Sequence, residues 1–333
     1  MHKAKRGGDT PDGTRKPETH SVEVEAGYWQ AIFTTALDAV VCIDAAGCIT
    51  LFNATAERLF GYTAGEAIGR NVRCLMPSPY REQHDDYLRA YERTGVARAI
   101  GKIRQVSAQR KDGVVFPIEL SVSTARLGEE VLYAAIIRDV TERKVAEDAI
   151  AARVRQQAVV SDLGLQALAG TELVRLMHVA VRDVARVLDL EYCKILELRP
   201  DGFLLLRAGV GWRDGLVGQA IVGSNTRSQA GYTLQVNEPV LVEDLATERR
   251  FTGPALLLDH GVVSGMSVII GPLERPFGIL GAHTATRRTF TADDTHFLQG
   301  VANVIAASAD RIAAEAQTQK FQVLAQQRER LAD

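Results

Sequence analysis

The sequence predicts an α+β protein of two domains, each a central antiparallel sheet flanked by helices, with long coiled-coil-like helices joining the domains and following the second. Three observations carry this. Short apolar segments with strand-like composition recur in two separate blocks, punctuated by Gly and Asp turns. Between the blocks, Thr141 to Gly164 is charged, Ala-rich and free of Pro, with no Gly before its end. A last Gly- and Pro-poor stretch closes the chain beyond Gly300.

Bulk composition narrows the function classes. At 333 residues the chain has length for two domains, and 46% hydrophobic with 24% charged residues suffices for two cores. A net charge of −2 gives no electrostatic reason to expect nucleic acid or an anionic membrane as partner. The most apolar region, Gly261 to His283, is interrupted by Pro272, Glu274, Arg275 and Pro276, so it does not read as a membrane span. The N-terminus lacks the apolar stretch of a secretory signal. A cytoplasmic location is expected. Cys42, Cys48, Cys74 and Cys193 have neither CxxC nor zinc spacing and read as small core residues.

Along the chain, residues 1–25 read as a disordered polar tail and 26–140 as a sensor domain. Tyr28 to Leu37 has helical spacing. Val40–Asn53 reads as a hairpin whose turn, Asp44 to Gly47, places Gly where positive φ is needed. Two short helices follow, ended by Gly61 and Gly69. Pro79 to Arg93 forms a longer helix, with Tyr87, Leu88 and Tyr91 at helical spacing. Ala99–Gln109, Val114–Ala125 and Val131–Asp139 then make a three-stranded meander.

Residues 141–168 read as a linker helix. Val145, Ala149, Ala152, Val159 and Leu163 form a near-heptad apolar stripe suited to pairing with a second copy. The second domain spans 169–314. Its first helix presents Leu173, Met177, Val181 and Val184 inward. Strands follow at Tyr192–Leu198, Leu204–Ala208, Val240–Glu243, Ser264–Ile270 and Gly278–Thr284. Thr291 caps the closing helix, with Asp293 and Asp294 in its first turn, where acids suit the positive helix end. Residues 315–333 read as an output helix carrying Phe321, Leu324 and Leu331.

GRNVRCLMPSPYREQHDDYLRAYERTG, RKDGVVFPIELSVS and the closing IIRDVTERK resemble the PAS domain family across Tyr28 to Lys144. Within it, the resemblance is to the FixL-like haem oxygen-sensor subgroup. That likeness implies haem b, with His84 as the axial ligand of the iron and Arg104 as the arginine that contacts bound oxygen. It further implies Leu120 and Val122 lining the gas side, Tyr87 in the helix pattern and Arg98 at a propionate. The chemistry is coherent. A neutral imidazole ligates iron and leaves the sixth position open for a diatomic gas such as O2. An arginine donates to partly negative oxygen. The sequence departs from the subgroup at Ala90, Ala99 and Ile103, which replace a propionate arginine, a distal isoleucine and a glycine. The covalent flavin photochemistry of LOV-type PAS domains is excluded, because Val72 occupies the reactive cysteine position.

Thr171–Ala314, and above all the run from Gly261 to Arg311, resembles GAF domains of bacterial sensor kinases. The ligand of this domain is unknown: no cysteine sits in a bilin-attachment context. His178 and His260 are possible haem ligands, and His283 and His296 read as structural or exposed. No P-loop, HExxH, GxSxG or kinase nucleotide motif occurs. VLAQQRERLAD resembles the approach to the phosphoacceptor helix of a histidine kinase. The implied protein is the input half of a two-component sensor kinase, its output following Asp333. It is expected to be a homodimer through the linker and C-terminal helices, in contact with an output kinase domain and, indirectly, a response regulator. Two alternatives stand beside this. One is a ligand-free PAS–GAF scaffold for dimerisation and relay; the other is an input to a diguanylate cyclase.

Overall fold

A computed structural model describes residues 18–94, 100–128, 130–224, 227–236 and 238–332, with side chains except at 18–26, 92, 127 and 324–332. It divides into two compact units, Met1–Glu147 and Asp148–Asp333.

In the first unit, helix α1 (Glu18–Thr35) leads into strands β1 (Ala39–Ile43) and β2 (Ile49–Phe52). Short helices α2 (Ala54–Phe60) and α3 (Ala64–Ala67), a 3₁₀ turn at Val72–Leu75 and helix α4 (Tyr80–Thr94) follow. Strands β3 (Ile103–Gln109), β4 (Val115–Leu127) and β5 (Glu130–Asp139) complete an antiparallel sheet of order β2-β1-β5-β4-β3. Alternation sets the faces. Val41, Phe116, Ile118, Tyr133 and Ile137 point to a core shared with Phe52, Phe60 and Leu75. Asn53 caps α2: its Oδ1 accepts from the Ala56 and Val40 amides, and its Nδ2 donates to the Phe33 and Asp38 carbonyls. Thr63 and Glu66 form a capping box at α3. Two expectations are corrected. The polar tail shrinks, because Glu18–Thr35 is helical, and residues 1–17 lie outside the described residues. The third strand starts at Ile103 rather than Ala99, after a turn at Gly101 that follows the isolated bridge between Ile100 and Val122.

Helix α5 (Thr141–Leu168) forms as read, but its stripe does not stay free. Val145 is 64% exposed, whereas Val159 and Leu163 belong to the core of the second unit. Buried Gln156 donates to Asp294, and Arg153 pairs with Asp293 at 2.6 Å. Val159 and Leu163 are thus spent inside their own unit, while Leu165 and Leu168 stay exposed, which corrects the continuous pairing stripe.

The second unit continues with α6 (Leu173–Leu188), β6 (Tyr192–Leu198), β7 (Phe203–Val210), β8 (Ile221–Gly223), α7 (Gln229–Thr233), β9 (Val240–Val242), α8 (Ala255–Leu258), β10 (Ser264–Ile270), β11 (Gly278–Thr284) and α9 (Ala292–Ala332). Its antiparallel sheet has the order β8-β7-β6-β11-β10-β9. One face meets α6 and α9 through Met177, Val184, Leu280, Leu298 and Ile305. The other is covered by α7, α8 and loops around Leu196, Trp212, Phe251 and Leu257. Both faces are therefore covered, and β10 and β11 are buried along their whole length. Thr291 and Asp294 exchange hydrogen bonds at the start of α9, fixing its first turn. A Cβ on Gly278 would stand 1.9 Å from the backbone oxygen of Leu196 on β6. No side chain can rotate out of that collision, so Gly278→Ala is expected to cost about 2–3 kcal/mol through overpacking. Denaturant unfolding followed by Trp212 fluorescence checks it, and a loss below about 0.5 kcal/mol, within the range of ordinary surface changes, would contradict it.

Candidate functional site: PAS helix and sheet

The helix α4 carries His84, Leu88 and Tyr91 at i, i+4 and i+7, one helical face. Leu88 and Tyr91 pack on the first core, and the Tyr91 ring meets Tyr133 of β5 edge-on at 6.0 Å. His84 shares that face. Its side chain is 19% exposed, and its Nδ1 is buried without a hydrogen-bond partner. The neighbouring Asp85 approaches Nδ1 only to 3.8 Å, because its carboxylate is engaged by Arg73 at 3.1 Å. Burial holds His84 below the usual histidine range, and Asp85 opposes that only in part. The imidazole is therefore held neutral, the form that ligates metals.

On the sheet, Arg104, Val106 and Ala108 fall on one side of β3 by alternation, and Val106 and Ala108 face the core. Arg104 pairs in register with Leu120, and Leu120 with Ile137. Val122 bridges Ile100. Leu120 and Val122 are half-buried against the core, while Arg104 is exposed and makes no ion pair among the described residues. The structure thus puts Arg104, Leu120 and Val122 on one sheet face, and His84 on the helix that covers it. It does not bring Tyr87 in. That ring is 43% exposed and its hydroxyl donates to Gln83 on its own helix. Arg98 and Ala99 lie outside the described residues.

With strand order, register and the α4 face in place, residues 37–142 match the PAS domain family and residues 172–309 the GAF domain family. The chain carries a PAS domain followed by a GAF domain. The PAS region is similar to the sensor protein FixL of Bradyrhizobium diazoefficiens, 43% identical over 117 residues, 35% of this chain and 23% of FixL. It is also similar to the oxygen sensor protein DosP of Escherichia coli, 34% identical over 91 residues, 27% of this chain and 11% of DosP. The cell-division control histidine kinase PdhS of Brucella ovis is 29% identical over 131 residues, 39% of this chain and 12% of PdhS. The matches thus span less than a quarter of these relatives. Among solved structures, the GAF domain of an Acinetobacter phosphoenolpyruvate-protein phosphotransferase aligns over 49% of this chain and 97% of its own, at 18% identity and a TM-score of 0.42. No helix among the described residues is long and apolar enough to cross a membrane.

The GAF domain holds polar residues that sequence reasoning missed or misplaced. His260 is not a free ligand: its Nε2 accepts from the Arg213 amide at 3.0 Å, so its Nδ1 donates to the Leu256 carbonyl at 2.8 Å. His283, read as structural or exposed, is fully buried, and neither ring nitrogen has a partner. Lys194, in the middle of YCKILEL, is 2% exposed. Alternation in that strand reads Lys194 as the solvent-facing position; with both sheet faces covered, it is interior instead. Cys193 is buried, which pushes its thiol up to about 12 and makes it inert. Cys42 is buried too, but Cys48 and Cys74 are only half-buried, short of the core placement expected for all four. No group of three or more metal-binding side chains occurs among the described residues.

Proposed function

We propose that this PAS–GAF signal-sensing module is a cytoplasmic haem-based gas sensor, a homodimer whose α5 and α9 relay ligand state to a histidine kinase output. The observation that carries it is His84: a neutral imidazole, enclosed and without a hydrogen-bond partner at Nδ1, on the helix over the PAS sheet. One neutral imidazole, with the neighbouring Asp85 carboxylate engaged by Arg73, suits haem b. When bound, haem supplies an iron with an open position for a diatomic gas. Leu120 and Val122 keep water from that face. Arg104 offers a fork of N–H donors at its edge. The similarity to FixL and DosP supports the same reading. A gas controls such a module only through unequal affinity for two states, about 5.5 kcal/mol to go from 1:99 to 99:1. The ligand-free scaffold draws support from Leu88 and Tyr91, which already pack against this face of the sheet.

Haem reconstitution followed by absorption spectroscopy tests the reading. The expected result is a Soret band that His84→Ala abolishes and Arg104→Ala retains, with faster oxygen release in the arginine variant. Absence of a band in the reconstituted parent chain rejects haem sensing and leaves the scaffold.

A further inference from the structure

The sheet face of the GAF domain under α7 carries buried polar atoms without hydrogen-bond partners. Register builds its floor. Lys194 on β6 lies directly between Gly209 of β7 and Gly281 of β11, and Gly281 pairs onward with Ser267 of β10. One row away, His283 pairs with Gly265. The glycines leave room for rings to lie along the sheet. A Cβ on Gly265 would stand 2.2 Å from His283 Nδ1, and one on Gly209 would stand 2.5 Å from Trp212. The site of a Cβ on Gly281 lies 2.9 Å from His283 Nε2 and 3.2 Å from Lys194 Cε, so imidazole and lysine flank one point. The Trp212 ring lies 5.4 Å from Lys194 Nζ and 6.2 Å from the His283 ring. Helix α7 is seated on this floor by the 2.8 Å contact of Thr233 with Ser267, and one turn earlier Gln229, 2% exposed, leaves its Nε2 unpartnered.

The balance of charge is one-sided. Among the described residues no carboxylate pairs with Lys194. Trp212 offsets part of the cost of burying it. Burial still pushes the amine down to about 7. His283 carries two partnerless nitrogens and Gln229 a partnerless amide nitrogen, each a buried polar atom that costs free energy while unsatisfied. Around them the face is apolar, with Leu196 and Ile279 on adjacent strands. A metal ion is disfavoured by the lysine. An anion with two acceptor oxygens and a short apolar body complements the amine, the amide N–H and the single N–H of a neutral imidazole.

We infer that the GAF domain binds a small monocarboxylate at Lys194, His283 and Gln229, against the ring of Trp212. A cavity of about 520 Å³ lies beside this site: it is lined by Arg213, Arg227, Leu256 and His260, and the His260 imidazole packs on Trp212 at 5.0 Å. Arg213 and Arg227 outnumber Asp259 in that lining, which favours approach of an anion. This inference stands apart from haem binding by the PAS domain.

Trp212 is the reporter, since the chain has two tryptophans and Trp29→Phe leaves it alone. The Trp29→Phe chain is titrated with sodium formate, acetate and propionate against chloride at constant ionic strength. A saturable change in Trp212 emission with a rise in Tm is expected. Lys194→Met, which keeps the side-chain length, and Gln229→Leu should each weaken it at least ~10-fold, about 1.4 kcal/mol. No response of the parent chain to any of the three overturns the inference. So does an equal response in the folded variants, which marks adventitious surface binding. If Lys194→Met does not fold, Gln229→Leu decides alone.

Discussion

Asn53→Ala is expected to cost the PAS domain about 3–5 kcal/mol, enough to leave it largely unfolded in mild denaturant. Asn53 is 1% exposed and uses both ends of its amide. Oδ1 accepts from Ala56 and Val40 at 2.9 Å; Nδ2 donates to Phe33 and Asp38 at 3.1 Å. One side chain thus joins the end of α1, the start of β1 and the first turn of α2. Alanine removes the helix cap, worth ~1 kcal/mol, and leaves backbone groups of three segments without partners, at ~1–3 kcal/mol each where water cannot reach. These costs are not additive, so the sum is discounted. Asn53→Asp separates the halves: it keeps the acceptor for Ala56 and Val40 but turns a second oxygen toward the Phe33 and Asp38 carbonyls. At neutral pH it should be nearly as harmful. Urea unfolding by far-UV circular dichroism measures both, and a loss under ~1 kcal/mol for alanine contradicts the argument.

The second large effect is the pH dependence of the GAF domain. Burial pushes the Lys194 amine down to about 7 in the folded domain, from the 10.5 of a solvated lysine in the unfolded chain. Between these values the unfolded chain binds the extra proton, so stability rises with pH from about 7 toward 10.5. Below 7 the amine is protonated in both states and its penalty is constant and full. His283 adds a second slope of the same sign. Burial holds its imidazole well below 6.5, with Lys194 contributing, so stability falls as pH drops beneath 6.5. Lys194→Met removes the first slope. Because it replaces a buried, unpaired amine by an apolar group of similar length, it should stabilise the domain at pH 7 by roughly 2–4 kcal/mol. Urea unfolding of the Trp29→Phe chain at pH 6, 7, 8 and 9 reads both effects. A flat profile from 7 to 9, or a destabilised Lys194→Met, contradicts them.

Much of the fold was legible because the strands are short apolar runs bounded by turn residues and several helix starts carry caps. Thr291 with Asp294 shows this, as do the strands Tyr192–Leu198, Ser264–Ile270 and Gly278–Thr284, whose ends fall where read. What escaped was short or doubly buried. Ile221–Gly223, Gln229–Thr233 and Ala255–Leu258 hold three to five residues each, too few to show a period. Lys194 escaped because a pattern along one strand cannot reveal that the opposite face is covered too. The α5 stripe was read whole because spacing cannot tell residues packed at home from residues left for a partner. In the PAS site, His84 and Arg104 were reached through resemblance. Structure adds what resemblance could not: the burial that keeps His84 neutral, and the outward stance of Tyr87.

The glycine floor of the GAF sheet bears on how such a domain can diversify. At Gly209, Gly265 and Gly281 a methyl group would meet a ring or a lysine stem within 3.2 Å. Substitutions there are admitted only after Trp212, His283 or Lys194 has first become smaller. Drift at the floor is therefore ordered, with the large residues changing before the glycines. Single-step variation in what the domain recognises is left to α7, α8 and the loops above, where side chains can change without moving the sheet.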